Sequence, residues 1–222
     1  MTRWTPALVI ALLTALATPA IADYDDGRPE REGFDRHRTE IGTGMLIGGF
    51  AVGPIGGTAF GLHLDVGRQM GQLKLMGEYN FLGIGESSYG AEDPIRGVMH
   101  RGGLLARYNF AEIGGGRRTP LQGTFWLEGG LGRERIEWDE GGVLRRDDLA
   151  LGFGAQLNVL IGRDSPEPKT FAIYYAFKAV IAKSPDHDQM APATCGGPCD
   201  EPSAPSPYDA GFFFNLGLSW GR

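Results

Sequence analysis

The sequence lacks two features that often decide a protein's class: an excess of basic residues and, after its first 22 residues, an apolar run of helix length. It carries 21 Lys and Arg against 27 Asp and Glu, a net charge of -6 over 222 residues. This balance gives no indication of a nucleic-acid partner. A transmembrane helix needs about 20 consecutive apolar residues, so a helical membrane protein is not expected. The 36 glycines and 14 prolines interrupt long helical patterns and favour many turns.

The amino-terminal 22 residues have the layout of a secretory signal peptide. Arg3 supplies a positive charge, residues 7–17 are apolar apart from Thr14, and residues 20–22 form a small-x-small cleavage pattern. Residues 1–22 are therefore predicted to be a signal peptide. Residues 23–38 are charged and have no apolar periodicity, which predicts a flexible periplasmic leader. Residues 39–222 remain as one all-β domain.

Alternating apolar and polar residues predict β-strands throughout this domain. In residues 71–81, odd positions carry Leu73, Leu75, Tyr79 and Phe81, whereas even positions are mostly polar. Side chains alternate across a strand, so one face is apolar. The polar side chains on the other face must contact water or pair with other polar groups. The same pattern predicts eight strands, at residues 39–51, 58–69, 71–81, 98–110, 122–136, 144–161, 170–182 and 210–220.

The two faces predict a lipid-facing exterior and a charged lumen. The polar face is rich in glycine and carries both signs of charge: Glu40, Asp65, Lys74, Glu78, Arg101, Arg107, Glu128, Glu134, Asp148 and Lys178. Charges sealed inside a barrel need such partners. The face predicted to contact lipid contains Leu73, Leu75, Tyr79, Phe81, Leu104, Tyr108, Phe125, Leu151, Phe153, Ile173, Phe177, Phe212, Phe214, Leu216 and Trp220. Aromatic residues near strand ends fit an interfacial belt. A soluble lipocalin-like barrel with inverted faces is the alternative.

Short and long connections are predicted to alternate, as in membrane barrels. Residues 69–70 are read as a two-residue hairpin turn, which would place Asp65 opposite Lys74. With the amino terminus in the periplasm, the other inner connections are residues 111–121 and 162–169. The outer connections include residues 83–97, 135–143 and 183–209.

Taken together, the signal peptide, the eight alternating segments and a final strand with the sequence GFFFNLGLSW (residues 211–220) resemble the small eight-stranded outer-membrane barrels of Gram-negative bacteria, the OmpA/OmpX-like group. The resemblance implies an eight-stranded antiparallel up-and-down transmembrane β-barrel in the outer membrane, in contact with its lipid and lipopolysaccharide. It also implies that the barrel-assembly machinery reads the final strand during insertion.

The sequence offers few candidates for chemistry. Of the serines after the signal peptide, only Ser219 falls within a predicted strand, and it has no histidine nearby in the sequence. Ser87 or Ser88 could meet His100 if their loop folded back. Nucleophilic hydrolysis needs a base within hydrogen-bond reach, so no catalytic residue and no cofactor is assigned. Cys195 and Cys199 are predicted to form a small disulfide loop, with a metal site or free thiols as the alternatives. His63 and His100 are expected to be hydrogen-bonding groups in the lumen or at its rim.

An eight-stranded barrel has room for side chains and little else. We therefore expect a structural or surface-interaction role rather than a general pore, with an extracellular partner contacting residues 183–209. Two alternatives remain open from the sequence: a lipid-modifying barrel enzyme, and an exported soluble barrel that binds a small apolar ligand.

Overall fold

Eight antiparallel strands close into an up-and-down barrel, which confirms the predicted fold. The computed structural model describes residues 38–53, 55–87, 96–114, 121–139, 141–161, 169–185 and 207–221. The strands are β1 (Thr39–Val52), β2 (Ile55–Met70), β3 (Leu73–Ser87), β4 (Gly97–Gly114), β5 (Leu121–Trp138), β6 (Val143–Ile161), β7 (Lys169–Lys183) and β8 (Tyr208–Gly221). Each pairs with its neighbours in the chain, and β1 pairs with β8. Within these ranges, no helix is long and apolar enough to cross a membrane.

The strands extend further than their alternation predicted. β3 continues to Ser87, and β5 and β6 leave only residues 139–142 between them. Most of the predicted outer connection 135–143 is therefore strand. The alternation fails in the extension of β3 because Leu82 and Ile84 are apolar and also point into the barrel, where they are buried. An apolar inward position gives no polar/apolar contrast with its neighbours.

The predicted register of the first tight hairpin is wrong. The turn lies at residues 71–72, Met70 pairs with Leu73, and Asp65 faces Glu78 rather than Lys74. Gly71 has a φ of 63°, the conformation that type II′ hairpin turns require at their first central residue. The true register differs from the predicted one by an even number of residues, so each side chain keeps its predicted face.

The barrel has a termini end and a loop end. The termini end carries the start of β1, the finish of β8 and the connections at residues 71–72, 115–120 and 162–168. The loop end carries the connections at residues 53–54, 88–96, 139–142 and 184–207. Longer connections were expected at the loop end, and residues 88–96 and 184–207 meet this expectation. The connections at residues 53–54 and 139–142 do not, because they are as short as those at the termini end.

The strands are strongly staggered. The ladder that starts at Glu40 passes through Gly67, Met76, Leu105, Gly130, Ala150, Val180 and Gly211. Gly211 lies one position before Phe212, which pairs with Gly49, so the ladder returns near Phe50 rather than Glu40. Tilted strands require such a stagger for closure. Inward residues that meet across the lumen therefore belong to different ladders.

Candidate functional site

The barrel interior holds all ten charged residues predicted for the lumen. Each is at most 6% exposed. They occupy alternate strand positions, so the closed sheet turns their side chains towards one another. Buried charges are tolerated only with close partners. The structure supplies these partners in two clusters and, for Glu134, in a separate group at the loop end.

The first cluster crosses the middle of the lumen. Glu78 on β3 accepts hydrogen bonds from Arg101 on β4 and from Lys178 on β7. Arg101 also donates to Asp148 on β6, with 2.6 Å between Nη2 and Oδ1. We call these four residues (Glu78, Arg101, Asp148 and Lys178), together with Glu128 and Arg107, the central network.

The central network continues on the other side of Lys178. The Nζ of Lys178 lies 3.3 Å from Oε1 of Glu128 on β5. The other oxygen of Glu128 accepts a 2.9 Å bond from Nη2 of Arg107, whose guanidinium carbon lies 4.2 Å above the ring of Trp126. The network thus joins five strands across the barrel and fills its centre.

The second cluster closes the termini end. The Nζ of Lys74 lies 2.7 Å from Oε2 of Glu40 and 3.5 Å from Oδ1 of Asp65. Asp65 also contacts His63 at 3.1 Å, and the other ring nitrogen of His63 lies 2.6 Å from the Asn80 side-chain oxygen. The predicted Asp65–Lys74 contact therefore exists, although the two residues are not paired across the ladder.

Arg38 is a lumen residue that sequence reasoning missed. The sequence pattern predicts a flexible leader over residues 23–38, yet Arg38 is buried at the termini end. Its guanidinium pairs with Glu40 and donates to Thr170 Oγ1 at 3.2 Å and Asn158 Oδ1 at 3.3 Å. Strand alternation gives no signal for Arg38 because it precedes the first strand.

Another missed group lies at the loop end. Arg146 pairs with Glu134 and with Asp209, both at 2.6 Å. Asp209 also accepts bonds from the Gly53 backbone N–H at 2.9 Å and from Ser184 at 2.6 Å. These bonds tie together the strand ends from which several loop-end connections leave. Arg146 lies two residues from Asp148 on β6 and therefore on the same face of the strand. This spacing could have identified Arg146 as a lumen residue.

The loop-end part of the lumen also contains a cluster of apolar side chains, which we call the apolar layer. It consists of inward, buried side chains that include Leu46, Phe50, Leu82, Met99, Ile136, Leu144, Val180 and Phe213. The predicted lumen was polar throughout, whereas the real one is polar in its middle and at its termini end and contains this apolar layer towards its loop end.

The outer surface carries an apolar belt. Large apolar side chains exposed there include Leu75, Tyr79, Phe81, Leu104, Leu151, Phe153, Ile173, Phe177, Phe212, Leu216 and Trp220. Leu73, Tyr108, Phe125 and Phe214 also lie outside the lumen but are partly covered by their neighbours. On β5 and β6 the belt ends where Arg133 and Asp147 follow Leu131 and Leu149.

The described residues do not bring a catalytic serine and base together. His100 pairs with Phe81 and Ser87 is six residues further along β3, which separates them by about 20 Å at the rise of a strand. His100 was expected in the lumen or at its rim. It instead lies on the outer surface, where its Nδ1 is 2.7 Å from the Tyr79 hydroxyl oxygen. Ser88, Cys195 and Cys199 lie outside the described residues, as do residues 1–37.

The described part of the chain contains no cluster of three or more His, Cys, Asp or Glu side chains that could hold a metal. The sequence matches no protein-family profile and no curated protein.

Solved structures similar to this chain include two small barrels. Neisserial surface protein A (NspA) is 12% identical, with a TM-score of 0.44 over 82% of this chain and 95% of that one. Ail, the attachment invasion locus protein of Yersinia pestis, is 14% identical, with a TM-score of 0.40 over 85% of this chain and 100% of that one. Ail was solved in complex with the heparin analogue sucrose octasulfate. The fold of the present chain is established by its own strand pairing, which closes the eight strands into a barrel.

Proposed function

We propose that this protein is an integral barrel of a Gram-negative outer membrane, closed to general diffusion, that serves in the envelope or in surface interactions through its loop end. The observation that carries the proposal is the polarity of the barrel, which is the reverse of that of a water-soluble protein. The ten charged side chains predicted for the lumen are buried inside, together with Arg38 and Asp209, while the exterior presents a belt of Leu, Ile, Phe, Tyr and Trp. In water this arrangement would expose a large apolar surface, whereas in a bilayer it matches the surroundings.

A role as an open pore is disfavoured by the contents of the lumen. The central network links five strands through Asp148, Arg101, Glu78, Lys178, Glu128 and Arg107. The apolar layer follows it towards the loop end. A solute would have to separate buried ion pairs and then pass bulky apolar side chains, and both steps are unfavourable.

The proposed surface role is assigned to the loop end because its two longest connections, residues 88–96 and 184–207, leave from there. We propose that this end faces the exterior and that residues 183–209 contact an extracellular partner. Export through a cleaved signal peptide and insertion by the barrel-assembly machinery belong to the same proposal. An enzymatic role has no comparable support, since the described residues bring no nucleophile and base together.

Membrane fractionation tests the location. The full chain, expressed with its amino-terminal segment in a Gram-negative host, should be found in the outer-membrane fraction and require detergent for extraction. Its folded form should migrate differently from the boiled form on a denaturing gel. Protein that stayed in solution without detergent would contradict the membrane assignment and favour the soluble barrel.

Planar-bilayer recording tests the closed lumen. The refolded protein should produce no steady large openings, because ion pairs and apolar side chains fill the barrel. A known large porin inserted under the same conditions serves as the positive control. Stable porin-like conductance would overturn the closed lumen while leaving the membrane location intact.

A further inference from the structure

A basic groove lies on the outer surface at the loop-end edge of the apolar belt. Its volume is about 510 Å³, and it is lined by Tyr79, His100, Gly102, Arg133, Arg135 and Arg145. Glu134 also borders it, but the Glu134 carboxylate is buried and pairs with Arg146. The charged side chains that line the groove from the outer face are therefore basic, and one of them, Arg133, has an exposed partner in Asp147 at 3.4 Å.

Strand register concentrates the positive charge. Arg135 on β5 lies directly opposite Arg145 on β6, and on its other side it lies opposite His100 on β4. Like charges directly opposite each other on a sheet destabilise the pairing. Arg135 has an exposed partner in Glu137 at 3.0 Å, but Arg145 has no ion-pair partner among the residues described here. An anion held between Arg135 and Arg145 would relieve this repulsion.

The groove is continuous with the apolar belt. The next outward residues towards the termini end, Leu104 and Leu131, lie opposite each other and are 75% and 55% exposed. Tyr79 and His100 form one wall and contact each other at 2.7 Å. The site therefore offers guanidinium groups on its loop-end side and an apolar surface directly next to them, on the side of the termini end. This order of charge and apolar surface matches an anionic lipid headgroup above its acyl chains.

We propose that the basic groove binds a phosphoryl group of an outer-leaflet lipid, whose acyl chains lie on the belt beneath. The inference rests on the proposed membrane location. Arginine is well suited to the task because its planar guanidinium can bind phosphate oxygens through two parallel hydrogen bonds. Gly102 leaves open space on the outer surface, since an added Cβ there would meet no atom within 4 Å.

Lipid-binding measurements on the folded, detergent-solubilised full chain test the proposal. The probes are lipid A with two phosphates and the same glycolipid after dephosphorylation, and native mass spectrometry measures the bound fraction. The phosphorylated form should bind more tightly. The variant Arg135→Gln/Arg145→Gln should bind it roughly thirtyfold more weakly, because each basic residue near an anionic membrane surface contributes about fivefold in affinity.

A matched control removes two positive charges elsewhere. Arg68 and Lys169 are exposed near the termini end of the barrel, so Arg68→Gln/Lys169→Gln should bind phosphorylated lipid A within about twofold of the unmodified protein if local position decides affinity. A second variant, Gly102→Leu, fills the groove without changing any charge and should also weaken binding. Gly77→Leu is its control, because Gly77 has the same open space within the belt.

Three results would overturn the proposal: equal binding of the two lipid forms, equal losses in the two double variants, or full displacement of the lipid by inorganic phosphate. The last result would indicate a site for free anions. All variants are first checked for the folded, heat-modifiable band. Failure of the unmodified protein to enter membranes would contradict the proposed function, whereas normal insertion without phosphate preference would contradict this inference alone.

Discussion

Individual buried charges in this barrel serve more than one partner. Glu78 accepts from both Arg101 and Lys178, and Arg101 divides its donors between Glu78 and Asp148. Gly132 makes room for this arrangement, because a Cβ at that position would lie 2.5 Å from Nη2 of Arg101 and 2.9 Å from Oδ1 of Asp148. Removing one carboxylate therefore leaves two buried cations with fewer partners.

The variant Glu78→Gln should lower the free energy of unfolding by roughly 3–5 kcal/mol, the range found when one member of a buried ion pair is lost. Guanidinium titration of protein refolded into lipid vesicles provides the measurement. Asp147→Asn is the control, because the Asp147–Arg133 pair is exposed and such pairs contribute about 1 kcal/mol or less. Similar losses in both variants would show that the central network does not stabilise the barrel.

At the scale of the strands, the turn at Gly71 determines how β2 and β3 pair. Its φ of 63° places it in the left-handed region, which a residue with a Cβ occupies at a cost. The sequence predicted a tight hairpin in this part of the chain but placed its turn at residues 69–70 rather than 71–72. Alternation is satisfied equally by any register shifted by an even number of residues, and the glycine with positive φ selects among them.

The variant Gly71→Val should lower the free energy of unfolding by roughly 1–2 kcal/mol, because valine is strained at positive φ. Gly77→Val is the matched control on the same hairpin. An added Cβ at Gly77 meets no atom within 4 Å, and valine favours strands, so this variant should be neutral or stabilising. Both values come from denaturant titration in vesicles. An unchanged stability in Gly71→Val would mean that another turn geometry forms without loss.

At the scale of the whole molecule, the proposed membrane location implies that the hydrocarbon of the bilayer ends where the apolar belt ends. On β6 the outward residues from Leu149 to Ile161 are apolar, whereas Arg145 and Asp147 precede them. Leu157 lies near the middle of this apolar stretch, and Val143 lies beyond its charged boundary. Both side chains are about half exposed, at 48% and 49%, so exposure alone does not distinguish them.

A membrane does distinguish these two positions. Leu157→Arg should destabilise the inserted barrel by roughly 2–4 kcal/mol, and Val143→Arg by about 1 kcal/mol or less, because the cost of an outward charge depends on its depth in the bilayer. Unfolding from vesicles measures both. Equal and small effects would place both residues in water and contradict the membrane assignment.

Sequence alone predicted the number of strands. It also predicted, for most strand residues, whether the side chain points into the polar lumen or to the apolar outer surface. Those properties depend on period-two alternation, which is local: Asp65, Lys74 and Glu78 share a parity, and so do Leu75 and Tyr79. Alternation also failed locally where both faces are apolar, as at Leu82 and Ile84, and it had nothing to say about Arg38.

Only the closed tertiary structure decided which charges meet. The stagger of the strands brings Arg101 to Asp148 and Lys178 to Glu78, over separations of 47 and 100 residues, and it sets Arg135 against Arg145 on the outer surface. A strand pattern specifies the direction of a side chain but not its height along the barrel. Closure and tilt set that height, so contacts between strands are a property of the whole ring.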